Sequence, residues 1–325
     1  MRNSLFFLTL GLLSLCGCGS SEDAANADTS GTETPEVTVI LNWFPEAEHG
    51  GFYAASIHGF YEEVGLNVVI KKGGPGTKVV ANVEVGRVTF GVANADKILN
   101  GCAQGADVVA LMAPIQDCPR CILVHEESGI ESLNSLSDVT LSMSAGQPYA
   151  QFLKKHVPLK NVKVAPFNGG VKTFMRGPKF AQQAYSFSEP FTAKKLGAKP
   201  RTLMVSEIGF NPYTSVLIAG RETVEGSPKL VQKFVDASIR GWEKYLSEPD
   251  ETNKHIQSIN PEMTNEILDF GVEALRPLCR IDDTPMGSMT LSRWQTLESQ
   301  LQEVGLIKPG ETDVKRIVWQ PNTNE

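Results

Sequence analysis

The sequence predicts an α/β protein built as two lobes that face each other across a cleft. Three observations carry this expectation. The chain has 325 residues, too many for one small core and suited to two lobes of ~100–200 residues each. Short β-branched runs alternate with segments of helical periodicity, and the alternation runs twice with a break between the rounds. Beyond about residue 219 the pattern turns mostly helical. Two open sheets so arranged leave a crevice at the carboxyl ends of their strands, where ligands bind in such folds.

Residues 37–41 (VTVIL) read as a buried strand. A helix is expected over 49–64, because Phe52, Ala55, Ile57, Phe60 and Val64 recur near helical spacing and Gly65 stops it. A strand at 66–70 and a turn at 73–76 follow. Thr77 is placed to cap a helix that ends near Val85. Residues 91–93 form a short strand, Asp96 is placed to cap the next helix, and 108–112 form another strand. This order argues for a mostly parallel sheet covered on both faces. The second round has strands at 140–143, 162–165 and 184–187. Its helices are at 149–155, 171–175 and 190–196, with Pro190 at a tolerated early position. Residues 213–219 return to strand, and 228–246, 262–275 and 291–304 carry apolar helical stripes. The expected divisions are 36–125 for the first part of lobe 1, 126–211 for lobe 2, and 212–325 for the return to lobe 1 and the closing helices.

Composition narrows the function classes. Charged residues make up 21% and the net charge is −7, with no basic cluster of the kind nucleic-acid binding needs. The first residues read as an export signal over 1–17. Arg2 gives a short positive start, and Leu5 to Leu15 form an apolar run too short to span a bilayer. The pattern around Gly17-Cys18 is similar to a bacterial lipobox, so Cys18 is the expected lipidation site. Residues 18–35 lack large apolar side chains and read as a flexible tether. A folded body held to a bacterial membrane by a lipid, on the outer side of the cytoplasmic membrane, is the resulting expectation. Cys102, Cys118, Cys121 and Cys279 remain in that body. The Cys118-Pro-Arg-Cys121 pair is expected in a loop ahead of an apolar run, as a structural disulfide or as plain thiols.

Polar and aromatic residues just after each strand are the candidate ligand contacts. Asn42, Trp43, His49 and Tyr53 fall within a strand-to-helix turn. Trp offers a flat apolar face and His a switchable donor or acceptor, although Trp43 and Tyr53 would serve equally as core plugs. The Gly50-Gly51 pair would shape the turn and let backbone approach a ligand. Asn94 follows the 91–93 strand, beside an Asp96 that reads first as a helix cap. Ser144, Gly146 and Gln147 open a second-lobe helix, where backbone N–H groups suit an anion or a carbonyl, and where a plain loop is the other reading. Arg120 and Arg176 are the cations considered for the cleft, and neither sits in a motif.

Here the residues carry a resemblance. Leu41-Asn42-Trp43, Pro45, His49, Gly51, Tyr53, Ala55, Gly59-Phe60-Tyr61 and Gly65-Leu66 are similar to the opening of the thiamine-pyrimidine family. That family includes ThiY-type periplasmic binding proteins and the fungal pyrimidine synthase, within a wider group that holds nitrate, sulfonate and taurine binding proteins. Tyr185-Ser186-Phe187-Ser188-Glu189-Pro190-Phe191 resembles its Glu-Pro segment, and Asn211-Pro212-Tyr213 its return crossing. The similarity spans about residues 36–307. It implies a type II periplasmic-binding fold with the ligand clamped between lobes. It also implies that Asn42, Trp43, His49 and Tyr53 meet the ligand from one lobe, and Tyr185, Glu189 and Asn211 from the other. For Glu189 the plainer alternative is a charge favoured by a helix N-terminus.

The fungal enzyme's Cys-Cys-Cys-Phe-Cys motif has no counterpart here, and no lysine stands between Asn42 and Glu48 to hold a pyridoxal group. The five histidines fill no metal-binding spacing, and there is no GxSxG elbow. The expectation is therefore a binding protein, without enzyme activity, cofactor or metal, that delivers a small molecule to an ABC permease and its ATPase. A thiamine pyrimidine precursor is the first ligand choice. Riboflavin, a sulfonate, taurine or nitrate are the alternatives, and a pyrimidine-synthase-like enzyme or a ligand-sensing subunit are readings of another class.

Overall fold

A computed structural model describes residues 36–280 and 284–320. The signal segment, the tether and Cys18 lie outside the described residues. Ten strands form: β1 (Glu36–Ile40), β2 (Asn67–Lys71), β3 (Phe90–Ala93), β4 (Val108–Met112), β5 (Arg120–His125), β6 (Thr140–Ser142), β7 (Lys163–Ala165), β8 (Phe180–Tyr185), β9 (Pro200–Met204) and β10 (Val216–Gly220). They make two five-stranded sheets, in the orders β2-β1-β3-β10-β4 and β7-β6-β8-β5-β9. In the first, β1 runs parallel to β2 and β3, and β10 is antiparallel to β3 and β4. In the second, β6 runs parallel to β7 and β8, and β5 is antiparallel to β8 and β9.

The first sheet thus takes its antiparallel strand, β10, from beyond the second crossing, while the second sheet is built from the consecutive strands β5 to β9. The first crossing precedes Arg120 and does not follow His125 as the sequence division at 125 had it. β5 pairs with β8, from Arg120↔Tyr185 to Leu123↔Gln182, so Arg120–His125 belongs to the second sheet. The apolar run Cys-Ile-Leu-Val is buried on both faces, and such a run carries no period that tells which sheet it joins. Cys118 lies in a loop as expected, and the same pairing corrects the expectation for Cys121 alone. Cys121 is the second residue of β5, and all four body cysteines are free.

The two crossings run side by side. Ile115 bridges Thr214, whose N–H reaches the Ile115 carbonyl at 3.2 Å. Asn211 joins them through its side chain: its amide donates to Asp117 Oδ1 at 2.6 Å, and its oxygen accepts from the Cys118 N–H at 2.7 Å. Arg293 donates to the carbonyls of both Gln116 and Asn211, at 2.6 and 3.0 Å.

Several local expectations shift. The helix expected over 49–64 is a turn at Ala47–His49, a helix at Gly50–Ile57 and a second short helix at Phe60–Glu63. The break falls at Gly59, whose φ of 74° leaves the right-handed helix. Thr77 caps no helix; its Oγ1 accepts from the Gly74 N–H and closes the preceding turn. Asn94, not Asp96, precedes the helix Ala95–Ala103, and Asp96 accepts from the next residue's N–H inside its first turn. The strand expected at 184–187 ends at Tyr185. The helix Asp250–Ile259 was not anticipated.

The Gly50-Gly51 pair works differently from the expectation. Both glycines lie in the helix Gly50–Ile57, and what approaches their backbone is a helix, Pro228–Ser247. A Cβ at Gly50 would lie 2.0 Å from the Tyr245 ring, one at Gly51 2.1 Å from Trp242, and one at Gly241 2.2 Å from the Gly51 carbonyl oxygen. Trp242 and Tyr245 are fully buried there. Burying a large apolar side chain is worth ~1.5–3 kcal/mol, and only side-chain-free backbone lets these rings approach. Among the described residues, no helix is long and apolar enough to cross a membrane.

Replacing Gly51 with Ala forces Trp242 or the helix outward. Urea unfolding should show a loss of about 2 kcal/mol or more, the usual cost of overpacking. An unchanged midpoint would mean that the two helices slide apart freely.

Candidate ligand-binding site

Side chains from both sheets converge at the carboxyl ends of the strands. From β1 the chain passes through Asn42, Glu46, Glu48 and His49. The Asn42 amide nitrogen donates to Glu48 Oε1 at 3.4 Å, and its oxygen lies 2.8 Å from His49 Nε2. That oxygen only accepts, so Nε2 carries the proton. Glu48 Oε1 also lies 3.3 Å from the same nitrogen. Glu48 and His49 are wholly buried, yet Glu48 Oε2 and His49 Nδ1 have no hydrogen-bond partner among the described residues. Orphaned buried polar atoms are costly unless a ligand or water meets them.

The second sheet supplies the other wall. Asn94, after β3, donates to the Tyr185 hydroxyl at the end of β8 at 2.9 Å, which ties one sheet to the other. The Asn94 oxygen accepts from the Ser215 N–H at 3.3 Å. Glu189 opens the helix Glu189–Lys195, and one of its carboxylate oxygens takes the Tyr185 N–H at 2.9 Å. The Ser144 N–H and the Tyr149 hydroxyl both donate to Gln183 Oε1. Further contacts draw the halves together at one edge: Phe191 meets Phe270 at 5.3 Å, Lys195 pairs with Glu266, and Gly271 leaves room for Ala47 and Phe187.

The side chains of the remaining sequence candidates make no hydrogen bond to this set among the described residues. Trp43 stands 37% exposed, edge-on to a 43% exposed Phe44 at 5.4 Å, an unusual exposure for two aromatic rings. Tyr53 is buried beside His255 and faces a cavity of about 430 Å³ lined also by Pro45, Lys72 and Ile259. Gly146 is exposed, and Gln147 precedes the helix Pro148–His156 without a side-chain capping bond. Fewer backbone donors are open there than expected, because Pro148 has no N–H and those of Ser144 and Gln147 are bonded. The Asn211 side chain is taken up by the crossings. Arg176 is exposed against the Phe180 ring.

Residues 46–252 match the family described as NMT1/THI5 like. The chain belongs to that family. Among relatives, the riboflavin-binding protein RibY of Chloroflexus aurantiacus is 23% identical over 247 residues, 70% of this chain and 67% of that one. The 4-amino-5-hydroxymethyl-2-methylpyrimidine phosphate synthase THI13 of Saccharomyces cerevisiae is 23% identical over 254 residues, 72% of this chain and 74% of that one. Among solved structures, the periplasmic aliphatic sulphonate binding protein SsuA of Escherichia coli matches with a TM-score of 0.71 at 16% identity, covering 89% of this chain and 94% of that one. Likeness at that identity establishes the fold, the two-sheet architecture of periplasmic binding proteins.

In this member of the NMT1/THI5-like family the cleft is crowded with carboxylates. Burial pushes the Glu46 carboxyl well above its ordinary value, and the nearby charges of Glu48 and Glu189 push it further. Burial likewise raises Glu189, partly offset by the backbone N–H groups it accepts and by Arg120. Asp96 is raised by burial against the pull of Lys97 and Arg120. Among the described residues, no three His, Cys, Asp or Glu side chains are grouped to hold a metal ion.

Sequence reasoning passed over Glu46, Glu48, Tyr149, Gln183 and the placement of Arg120. For the two glutamates a signal existed: they flank Ala47 directly before His49. Gln183 gave none, because an internal strand position says nothing of the partner across the sheet.

The raised Glu46 carboxyl fixes a pH dependence. The folded protein holds this proton more tightly than the unfolded chain does. The resulting stability is present below the ordinary carboxylate value of 4.5 and is lost as pH rises through the folded value. Glu46→Gln should therefore raise the thermal midpoint by a few degrees at pH 8 and by much less at pH 4, followed by circular dichroism. An equal effect at both pH values would mean that the folded state holds the Glu46 proton no more tightly than the unfolded chain does.

Proposed function

We propose that this chain is the extracytoplasmic solute-binding subunit of an ABC importer, and that it clamps a flat, amine-bearing heteroaromatic ligand of the thiamine-pyrimidine-precursor kind. On this reading Cys18 carries the lipid, 18–35 tethers the body, and the permease and ATPase receive the ligand. One observation carries the ligand class. Glu46 and Glu48 from one half lie near enough to Glu189 from the other for its charge to act on Glu46, and Glu48 Oε2 and His49 Nδ1 are buried without partners among the described residues. Unmet acceptors of this kind suit the paired N–H donors of an aminopyrimidine edge. They repel a sulfonate or nitrate placed against them.

Trp43 and Phe44 supply a partly open aromatic face, which suits a ring that arrives in one half and is covered by the other. Ligand contacts from both sheets then favour the closed arrangement over the open one, which is how a two-lobed receptor reports occupancy. The Asn94–Tyr185 bond would lie behind the ligand and close with it. Riboflavin is the second ligand reading, supported by similarity to a riboflavin-binding relative and by the same aromatic face.

The test is calorimetry on the chain from Glu36 onward, with aminopyrimidines, riboflavin, taurine, an alkanesulfonate and nitrate as ligands. An aminopyrimidine should bind. Trp43→Ala should weaken it by ~1–3 kcal/mol, roughly 10–100-fold, and Glu189→Ala should weaken it at least as much. Binding of riboflavin alone would move the ligand to the second reading. Binding of only taurine, a sulfonate or nitrate would end the heteroaromatic reading and keep the transport role.

A further inference from the structure

Arg120 opens β5 on the cleft side of the second sheet, among residues drawn from both halves of the molecule. Its guanidinium carbon lies 3.9 Å from the centre of the Tyr185 ring and 4.9 Å from that of Tyr149. Both rings are fixed, since Asn94 holds the Tyr185 hydroxyl and Gln183 the Tyr149 hydroxyl. Asp96 and Glu189 are near enough to feel its charge. Yet among the described residues no carboxylate comes within ion-pair distance of it, and none of its five N–H donors has a hydrogen-bond partner.

The other ring-stacked arginines behave differently. Arg293 lies 3.9 Å over Tyr213 and uses its fork on two backbone carbonyls. Arg240 lies over Phe60 and pairs with Glu63 at 2.7 Å. Arg176, over Phe180, is exposed to solvent. Arg120 differs from these in lying within reach of two held rings with its fork unused among the described residues. A guanidinium steadied by two rings is pre-organised for two-point recognition of an oxyanion.

We propose that Arg120 is a second ligand anchor, and that the ligand carries an oxyanion at the end away from the edge that meets Glu46, Glu48 and Glu189. This deepens the proposed function and rests on it in one respect, that the other end of the ligand is an amine-bearing ring. The cleft then reads a bipolar molecule: donors at the carboxylates, a phosphate, sulfonate or carboxylate at the guanidinium. The two ends also discriminate. A neutral heterocycle forgoes the Arg120 fork, and a simple anion leaves the buried Glu48 and His49 atoms unmet, so a bipolar ligand gains at both ends.

The experiment compares neutral and anionic partners of one ring on the full-length protein by calorimetry. The pairs are 4-amino-5-hydroxymethyl-2-methylpyrimidine with its phosphate ester, and riboflavin with its 5′-phosphate, with butanesulfonate as an anion lacking a ring. In at least one pair the phosphate should bind about tenfold or more tighter, and Arg120→Gln should abolish that preference, a loss of roughly 10–100-fold for the anionic member. Arg120→Lys, which keeps the charge without the fork, should recover part of it, and melting curves for both variants verify folding. Equal affinity within a pair, or anionic binding unaffected by Arg120→Gln, overturns the proposal and leaves the heteroaromatic reading standing. Arg120-dependent binding of butanesulfonate with no binding of either ring pair keeps Arg120 as an anion anchor and removes the ring. Binding of none of the five probes removes both.

Discussion

Because Gly50 and Gly51 carry no side chains, the rings of Tyr245 and Trp242 press directly against the backbone that leads out of His49. That contact fixes where the helix Gly50–Ile57 begins, and so where the turn Ala47–His49 must sit. The position of Glu48 and His49 in the cleft follows. A buried carboxylate beside a buried imidazole is an expensive arrangement, and it persists only where the surroundings leave no room to relax. The packing of two helices, one of which starts directly after His49, supplies that constraint.

The cleft combines charges that do not cancel one another. Carboxylates from both sheets raise each other's proton affinity, while a guanidinium close by stays unpaired. In a core, evolution and folding would normally bring such groups into contact, because unmet charge costs more than the geometry of a salt bridge. Keeping them apart requires rigid supports. The Asn94–Tyr185 bond, the Gln183 bonds to Ser144 and Tyr149, and the two tyrosine rings around Arg120 are those supports. Pre-organised, separated charges bind a ligand without first having to break bonds to each other.

Much of the fold was legible in the sequence, and the reasons for the gaps are physical. The strand Val108–Met112 and the long helices from Pro228 and Leu291 stand where periodicity and turn residues put them. Arg120–His125 was missed as a strand of the second sheet, because a run buried on both faces has no alternation to read. Gly50 and Gly51 were assigned to a ligand's approach, when their neighbour is a helix some 190 residues later in the chain, a relation no local pattern encodes. Asn42, His49 and Asn94 are legible because they follow strands in an open α/β sheet, while Tyr185 and Glu189 come from the resemblance of residues 185–191 to a family segment. Arg120 has no local motif to read, since its meaning lies in the two rings beside it, one at the end of β8 and the other in the helix Pro148–His156. Asn211 was marked for its position, and its side chain turned out to hold the crossings together.

The return of β10 to the first sheet sets an order on how the molecule comes into being. β3 and β4 do not pair with each other; both wait for β10, more than a hundred residues downstream of β3. A growing chain that has emerged through β4 therefore has an open gap in its first sheet, whose edges stay unmatched until residue 220 is available. The second sheet needs only β5 to β9, a nearly contiguous stretch, and is free to close earlier. The half that begins the polypeptide is the half that finishes last, and long-range closure of this kind is slow. The connectivity itself thus holds the first sheet open until the whole second sheet has followed it out.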